Sequence, residues 1–162
     1  MKAYTRLMSV LLVACLGIVL VTGAYLTFFY SPADNPIYDG PYEPLRGVEM
    51  SAAYASELKL TFETPGGLLV RALHQWSGLA FLLVAVFRLI LIRRFLPALP
   101  VLALLGLGAL NVVVGLVTTG AVPARETFEE VPTIWWYSVH LLLALTTAGA
   151  LMVAWRQQSR PD

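Results

Sequence analysis

Four apolar stretches constrain this chain more than any other feature, at about Leu7–Phe29, Gly67–Ile92, Phe95–Val117 and Ile134–Trp155. Each is close to or above the ~20 residues that a helix needs to cross roughly 30 Å of hydrocarbon. No water reaches backbone N–H and C=O groups inside a bilayer, so runs this long form helices, which satisfy those groups within the segment. The expected fold is therefore an all-α membrane protein, a four-helix transmembrane bundle, with residues 1–162 as a single transmembrane domain. A water-soluble domain is excluded by composition. Of the 162 residues 58% are hydrophobic and only 13% charged, where a soluble domain has about a quarter charged. A net charge of +1 offers no basic field for nucleic acid. The single cysteine, Cys15, lies within the first apolar stretch, which rules out an intrachain disulfide and a Cys-rich metal site.

The first stretch also has signal-peptide features. Met1–Arg6 is basic, and Leu12-Val13-Ala14-Cys15 resembles a lipoprotein cleavage box. The apolar run nevertheless continues well beyond Cys15, whereas a signal peptide ends near its cleavage site. A retained helix is expected.

Charge sets the orientation. Lys2 and Arg6 precede the first stretch, Arg93 and Arg94 join the second to the third, and Arg156 and Arg160 follow the fourth. The other side carries Asp34, Asp39, Glu43, Glu49, Glu57, Glu63, Glu126, Glu129 and Glu130, with Arg46, Lys59 and Arg125. Positively charged loops stay in the cytoplasm, so both termini are expected there and the two acidic loops outside. Aromatic residues at Phe28, Phe29 and Tyr30 and at Trp135, Trp136 and Tyr137 mark the outer interface. The long outer loop, residues 30–66, is predicted to hold a short surface helix over Val48–Phe62, ended by Pro65-Gly66-Gly67.

Only two histidines occur, His74 and His140. Each lies seven residues into its stretch, counted from Gly67 and from Thr133, so both imidazoles are expected about 10 Å below the outer surface. Polar groups at such depth face a partner or a cofactor. Two readings stay open on depth alone: a bis-imidazole pair holding haem iron across the bundle, or separate hydrogen bonds to neighbouring helices. A closed zinc site would need further N or S ligands, and a phosphate-binding loop or intramembrane carboxylate pair is missing.

Several segments resemble the amino-terminal four-helix domain of cytochrome b from quinol:cytochrome c reductases, the bacterial menaquinol-using type above all. They are Thr22-Gly23-Ala24-Tyr25-Leu26-Thr27-Phe28-Phe29-Tyr30 and the run from Gly40-Pro41-Tyr42-Glu43-Pro44 to Ala52-Ala53-Tyr54, followed by Pro65-Gly66-Gly67 through Arg71, His74, Gln75, Trp76 and Ser77. Thr118-Thr119-Gly120 with Pro123, and Tyr137-Ser138-Val139-His140, complete the set. The resemblance implies a bundle of cytochrome b type holding haem b. His74 and His140 match the iron ligands of the outer-side haem. Gly23 and Gly120 match glycines that let the haem approach the first and third spans, and Arg71, one turn before His74, matches an arginine that pairs with a propionate. Gly106, fourteen residues before Gly120, is the candidate remnant of an inner-side pair.

The departures are as informative. The family's inner-side ligands would fall at Arg88 and at Ala154 or Trp155, and its inner glycine at Ser9. None supplies an imidazole, so the inner-side haem is expected to be absent, with Arg88 snorkelling toward the cytoplasm beside Arg93 and Arg94. The sequence also lacks the family's carboxy-terminal half with its Pro-Glu-Trp-Tyr type motif. The resemblance thus implies a mono-haem b-type electron-transfer subunit of an oxidoreductase, not a self-sufficient enzyme. It would relay electrons near the outer face of a bacterial plasma membrane, in a respiratory, quinol-linked complex. Its implied partners are other subunits of that complex and menaquinone. The alternative, of a different class, is a haem-free structural or assembly subunit descended from cytochrome b, with both histidines making helix–helix hydrogen bonds.

Overall fold

A computed structural model describes residues 2–32, 37–91, 95–119 and 131–158. Four long helices, α1 (Lys2–Thr27), α3 (Gly67–Leu91), α4 (Phe95–Thr118) and α5 (Thr133–Gln158), are joined by a loop that carries a short helix, α2 (Ala52–Phe62). Each long helix has a window apolar and long enough to cross a membrane: Arg6–Thr27, Gly67–Leu91, Ala98–Thr118 and Thr133–Arg156. The expected spans agree to within a few residues at each end, α1 beginning earlier because Lys2–Arg6 continues the helix.

The helices alternate in direction. Residues late in α1 meet residues early in α3, with Thr22 and Val19 on His74. Asn111 of α4 meets His140 of α5 in the same antiparallel sense. The main contacts run α1 with α3, α3 with α4 and α4 with α5, while α1 touches α5 lightly and the diagonals α1/α4 and α3/α5 barely meet. The bundle therefore has a loop end, where α1 and α4 finish and α3 and α5 begin, and an opposite terminal end.

These two ends are packed differently. Toward the terminal end Leu12 and Leu16 of α1, Phe81 and Ala85 of α3, Leu104 of α4 and Leu151 and Ala154 of α5 form one buried cluster. At 1.5 Å per residue it lies about 10–20 Å along the helices from the level of His74 and His140. Gly108 makes this closeness possible, since a Cβ there would fall 3.0 Å from the Phe81 ring and 2.9 Å from Leu82. Toward the loop end the same four helices surround a cavity.

The described part of the long loop is held by local contacts. Tyr38 exchanges backbone hydrogen bonds with Val48 and Gly47, and Gly47 adopts φ +79°, a conformation that glycine takes without steric cost. The surface helix starts later than Val48, because Ser51 caps it: its side chain accepts from the Tyr54 N–H at 3.2 Å. Ala52, Ala53, Leu58 and Leu60 of this helix are buried, and Leu60 reaches the cavity wall. Gly67, the first residue of α3, lies so close under the Leu60 carbonyl that no Cβ fits there.

Candidate functional site

His74 and His140 project from α3 and α5, the two helices of one diagonal. Their ring centroids are 6.2 Å apart, with planes at 70°. The other diagonal holds them. His74 Nδ1 is 3.0 Å from the Val19 carbonyl and 3.1 Å from Thr22 Oγ1, both on α1. His140 Nδ1 is 3.1 Å from the Asn111 carbonyl on α4.

Those partners determine where the imidazole protons sit. A carbonyl only accepts, and the Thr22 hydroxyl already donates its proton to the Ile18 carbonyl at 2.6 Å. Nδ1 is therefore the donor on both rings. In a neutral imidazole this leaves the Nε2 lone pair unprotonated, and neither Nε2 is hydrogen-bonded among the described residues. This is the tautomer in which a histidine can ligate a metal through Nε2.

Both rings lie against glycines. A Cβ on Gly23 would come within 3.0 Å of His74 Cε1, and one on Gly115 within 2.9 Å of His140 Cε1. The group that lies against Gly23 of α1 is the His74 imidazole. On α4 the equivalent residue is Gly115, which sequence reasoning passed over. Gly108, Asn111 and Gly115 recur at helical spacing on one face, a pattern that marks this face without any family knowledge. Gly120 lies outside the described residues. Gly106 is corrected: it is exposed and a Cβ there would meet nothing within 4 Å, so it faces away from the bundle interior.

The rings border a cavity of about 490 Å³ whose walls are mostly apolar, including Leu26, Phe29, Leu60, Leu79, Val112 and Leu116. Its loop end is lined by Phe29, Tyr30 and Tyr137 and by residues of α2. Tyr30 stacks on Tyr137 with centroids 4.7 Å apart, and its hydroxyl donates to the Thr118 carbonyl at 3.0 Å. That contact ties the ends of α1 and α4 to the start of α5. From α2, Ser56, Glu57 and Leu60 reach the cavity wall.

Arg71 lies on the same wall, one turn above His74. Helical side chains tilt toward the helix N-terminus, so Arg71 leans to the loop end, where it meets Glu57 Oε2 at 3.0 Å and donates to Thr61 Oγ1 at 3.3 Å. Burial pushes the Glu57 carboxyl above its ordinary range, and the Arg71 charge offsets only part of that rise.

The same tilt explains why Arg88 departs from expectation. It lies near the C-terminal end of α3, so its side chain starts back into the bundle and not out to the terminal end. Arg88 is only 6% exposed, and its Nε is buried without a hydrogen-bond partner among the described residues. The expected snorkelling is not observed. Ser9, at 2%, and Ala154, at 6%, are buried at the corresponding level.

Among the described residues no group of three or more His, Cys, Asp or Glu side chains is placed to hold a metal ion. The arrangement presents two imidazoles 6.2 Å apart, a largely apolar cavity and the Arg71 guanidinium on its wall.

No family model matches the chain. Curated proteins do. The chain is 53% identical over 66 residues to a cytochrome bc1 complex cytochrome b subunit of Corynebacterium diphtheriae. It is 52% identical over 65 residues to that of Mycobacterium leprae, and 48% identical over 66 residues to that of Streptomyces coelicolor. In each case the match covers 40% of this chain and 12% of the relative. With four helices apolar and long enough to cross a membrane, the chain is a multi-pass membrane protein that is similar, over two fifths of its length, to cytochrome b subunits of cytochrome bc1 complexes.

Proposed function

We propose that this chain is a mono-haem b-type electron-transfer subunit, with His74 and His140 as the iron ligands. The observation that carries the reading is the pair of Nδ1–H bonds to the Val19 and Asn111 carbonyls, which leave two Nε2 lone pairs free on imidazoles 6.2 Å apart. Metal–imidazole bonds of about 2 Å on either side of one ion put ring centres about 6 Å apart. The residues therefore fit a bis-imidazole iron. A cavity of about 490 Å³ with apolar walls fits a flat apolar ligand. Gly23 and Gly115 keep that room clear by letting both rings lie against the helices.

A bound haem supplies a one-electron redox couple. The chain's own residues do the rest. The Val19 and Asn111 carbonyls raise the basicity of the ligand nitrogens and fix the ring planes. Arg71 offers a cation for a cofactor carboxylate at the mouth, and Gly120 is proposed to complete the helix approach expected from the sequence. Tyr30, Tyr137 and α2 line the loop end, and the water access and polarity they leave there would tune the potential.

A single haem is favoured by the terminal half of the bundle. At the level fourteen residues from the ligands, Ser9, Arg88 and Ala154 are buried, and Leu12 beside them is fully buried. Side chains fill that space. The charge pattern supports cytoplasmic termini and a loop end at the outer face of a bacterial plasma membrane. There the subunit would relay electrons within a respiratory, quinol-linked complex, with menaquinone and other subunits as its partners.

The test is the absorption spectrum of protein purified from haem-replete cells. A reduced b-type α-band that His140→Ala abolishes is expected. A colourless preparation would instead identify a haem-free structural subunit.

A further inference from the structure

We infer that Glu57 is a positioning residue: its ion pair fixes the Arg71 guanidinium over the cavity mouth, and the pair links the charge of a bound cofactor to uptake of a proton at the Glu57 carboxylate. The inference rests on the haem reading above and extends it to a residue outside the spans.

Geometry carries it. Glu57 and Arg71 both line the cavity, with side chains only 13% and 29% exposed, and they pair at 3.0 Å. The pair joins a membrane span to the surface helix. A carboxylate so placed has little water to screen it, and it responds to any charge that appears in the cavity. The groups facing it are few. From α3 they are Arg71 and His74, from the end of α1 Tyr30, and from α5 Tyr137 and His140. The residues of α4 on the cavity wall are uncharged, and α2 carries Lys59, with Glu63 just after its last residue. Among the described residues Arg71 alone stands within ion-pair distance.

The balance is simple. One electron arrives from a one-electron donor, an electrode through mediators in the test or a neighbouring redox subunit in the membrane. The site becomes more negative by one unit. A proton from water then adds to a Glu57 carboxylate oxygen, giving a neutral carboxyl and leaving Arg71 free to face the cofactor carboxylate. Oxidation reverses both transfers, and no other bond changes. A unit charge on the order of 10 Å away, at an effective dielectric of about 20, alters a carboxylate's proton affinity by roughly tenfold. The desolvation that already favours the neutral carboxyl brings this response toward physiological pH.

The experiment is a spectroelectrochemical titration of the purified holoprotein over a series of pH values, for wild type, Glu57→Gln and Glu57→Asp. Wild type should show a midpoint potential that falls as pH rises, by about 59 mV in all, the one-electron equivalent of the roughly tenfold change in proton affinity. Glu57→Gln, isosteric and still able to accept from Arg71, should give a flat line over that window, and Glu57→Asp should restore a slope. The reduced-minus-oxidised infrared spectrum should gain a protonated-carboxyl band that Glu57→Gln removes. A slope and infrared band unchanged in Glu57→Gln, or no pH dependence in wild type, would overturn the inference. A preparation without haem would overturn the underlying reading, and it is recognised before any potential is measured.

Discussion

His140 Nδ1 donates to the carbonyl of Asn111 at 3.1 Å, so a histidine of α5 is aimed by the backbone of α4. The contact exists because Gly115, one turn on, has no Cβ to push the ring away. Gly115→Ala should therefore displace the imidazole and weaken haem retention by tenfold or more, within the 10–100-fold range for loss of an outer-shell partner. Gly106→Ala, on the outward face of the same helix, should leave the spectrum unchanged and stabilise by about 0.5–1 kcal/mol through helix propensity. Haem content and thermal unfolding of the two variants in detergent give the comparison. Equal effects would contradict this assignment of the glycines.

Thr22 shares the Nδ1–H of His74 with Val19. Because one acceptor remains, Thr22→Val should cost about 1 kcal/mol or less, in line with the net worth of a single hydrogen bond. A small shift of the α-band with haem retained is expected. Complete loss of haem would mean that Val19 alone does not orient the ring.

Arg88 gives a prediction of the opposite sign. An arginine 6% exposed, with its Nε unpartnered among the described residues, is costly in the interior of a bundle. Arg88→Met keeps the length and removes the charge, and should raise the unfolding temperature, with a gain of about 1–4 kcal/mol by analogy with buried ionic groups replaced by apolar ones. A lower unfolding temperature would show that the guanidinium has an anionic partner in the membrane.

Glu57 makes the docking of α2 depend on pH. Burial raises its carboxyl pKa in the folded chain above the unfolded value, more than Arg71 lowers it. The folded state thus binds the proton more tightly, so this group's contribution is full below the ordinary glutamate range and is lost as pH rises through the folded pKa. Hydrogen exchange of the α2 amides, corrected for intrinsic rates, should become less protected across that window in wild type and stay level in Glu57→Gln. Protection that increases with pH in wild type would contradict the burial argument.

The spans and both histidines were legible in the sequence because lipid imposes a length and a penalty that any chain must obey. Helix direction also decided two arginines that hydropathy treats alike. Both stand near an end of α3, yet the N-terminal tilt of side chains carries Arg71 out to Glu57 and turns Arg88 inward. Gly115 was missed and Gly106 misplaced because a fourteen-residue spacing gave only one coordinate. Which face of α4 turns inward shows in Gly108 against Phe81 of α3 and Gly115 against His140 of α5, contacts between segments that no single-helix pattern contains. The start of α2 at Ser51 was a matter of local capping chemistry, readable from a serine preceding Ala52-Ala53-Tyr54.

Haem per chain tests the central claim most directly. Pyridine haemochrome analysis of protein purified from haem-replete cells, set against amino-acid quantification, should return about one haem b per chain, falling to none in His74→Ala and His140→Ala. Two haems per chain, or one retained in full by both variants, would contradict the account.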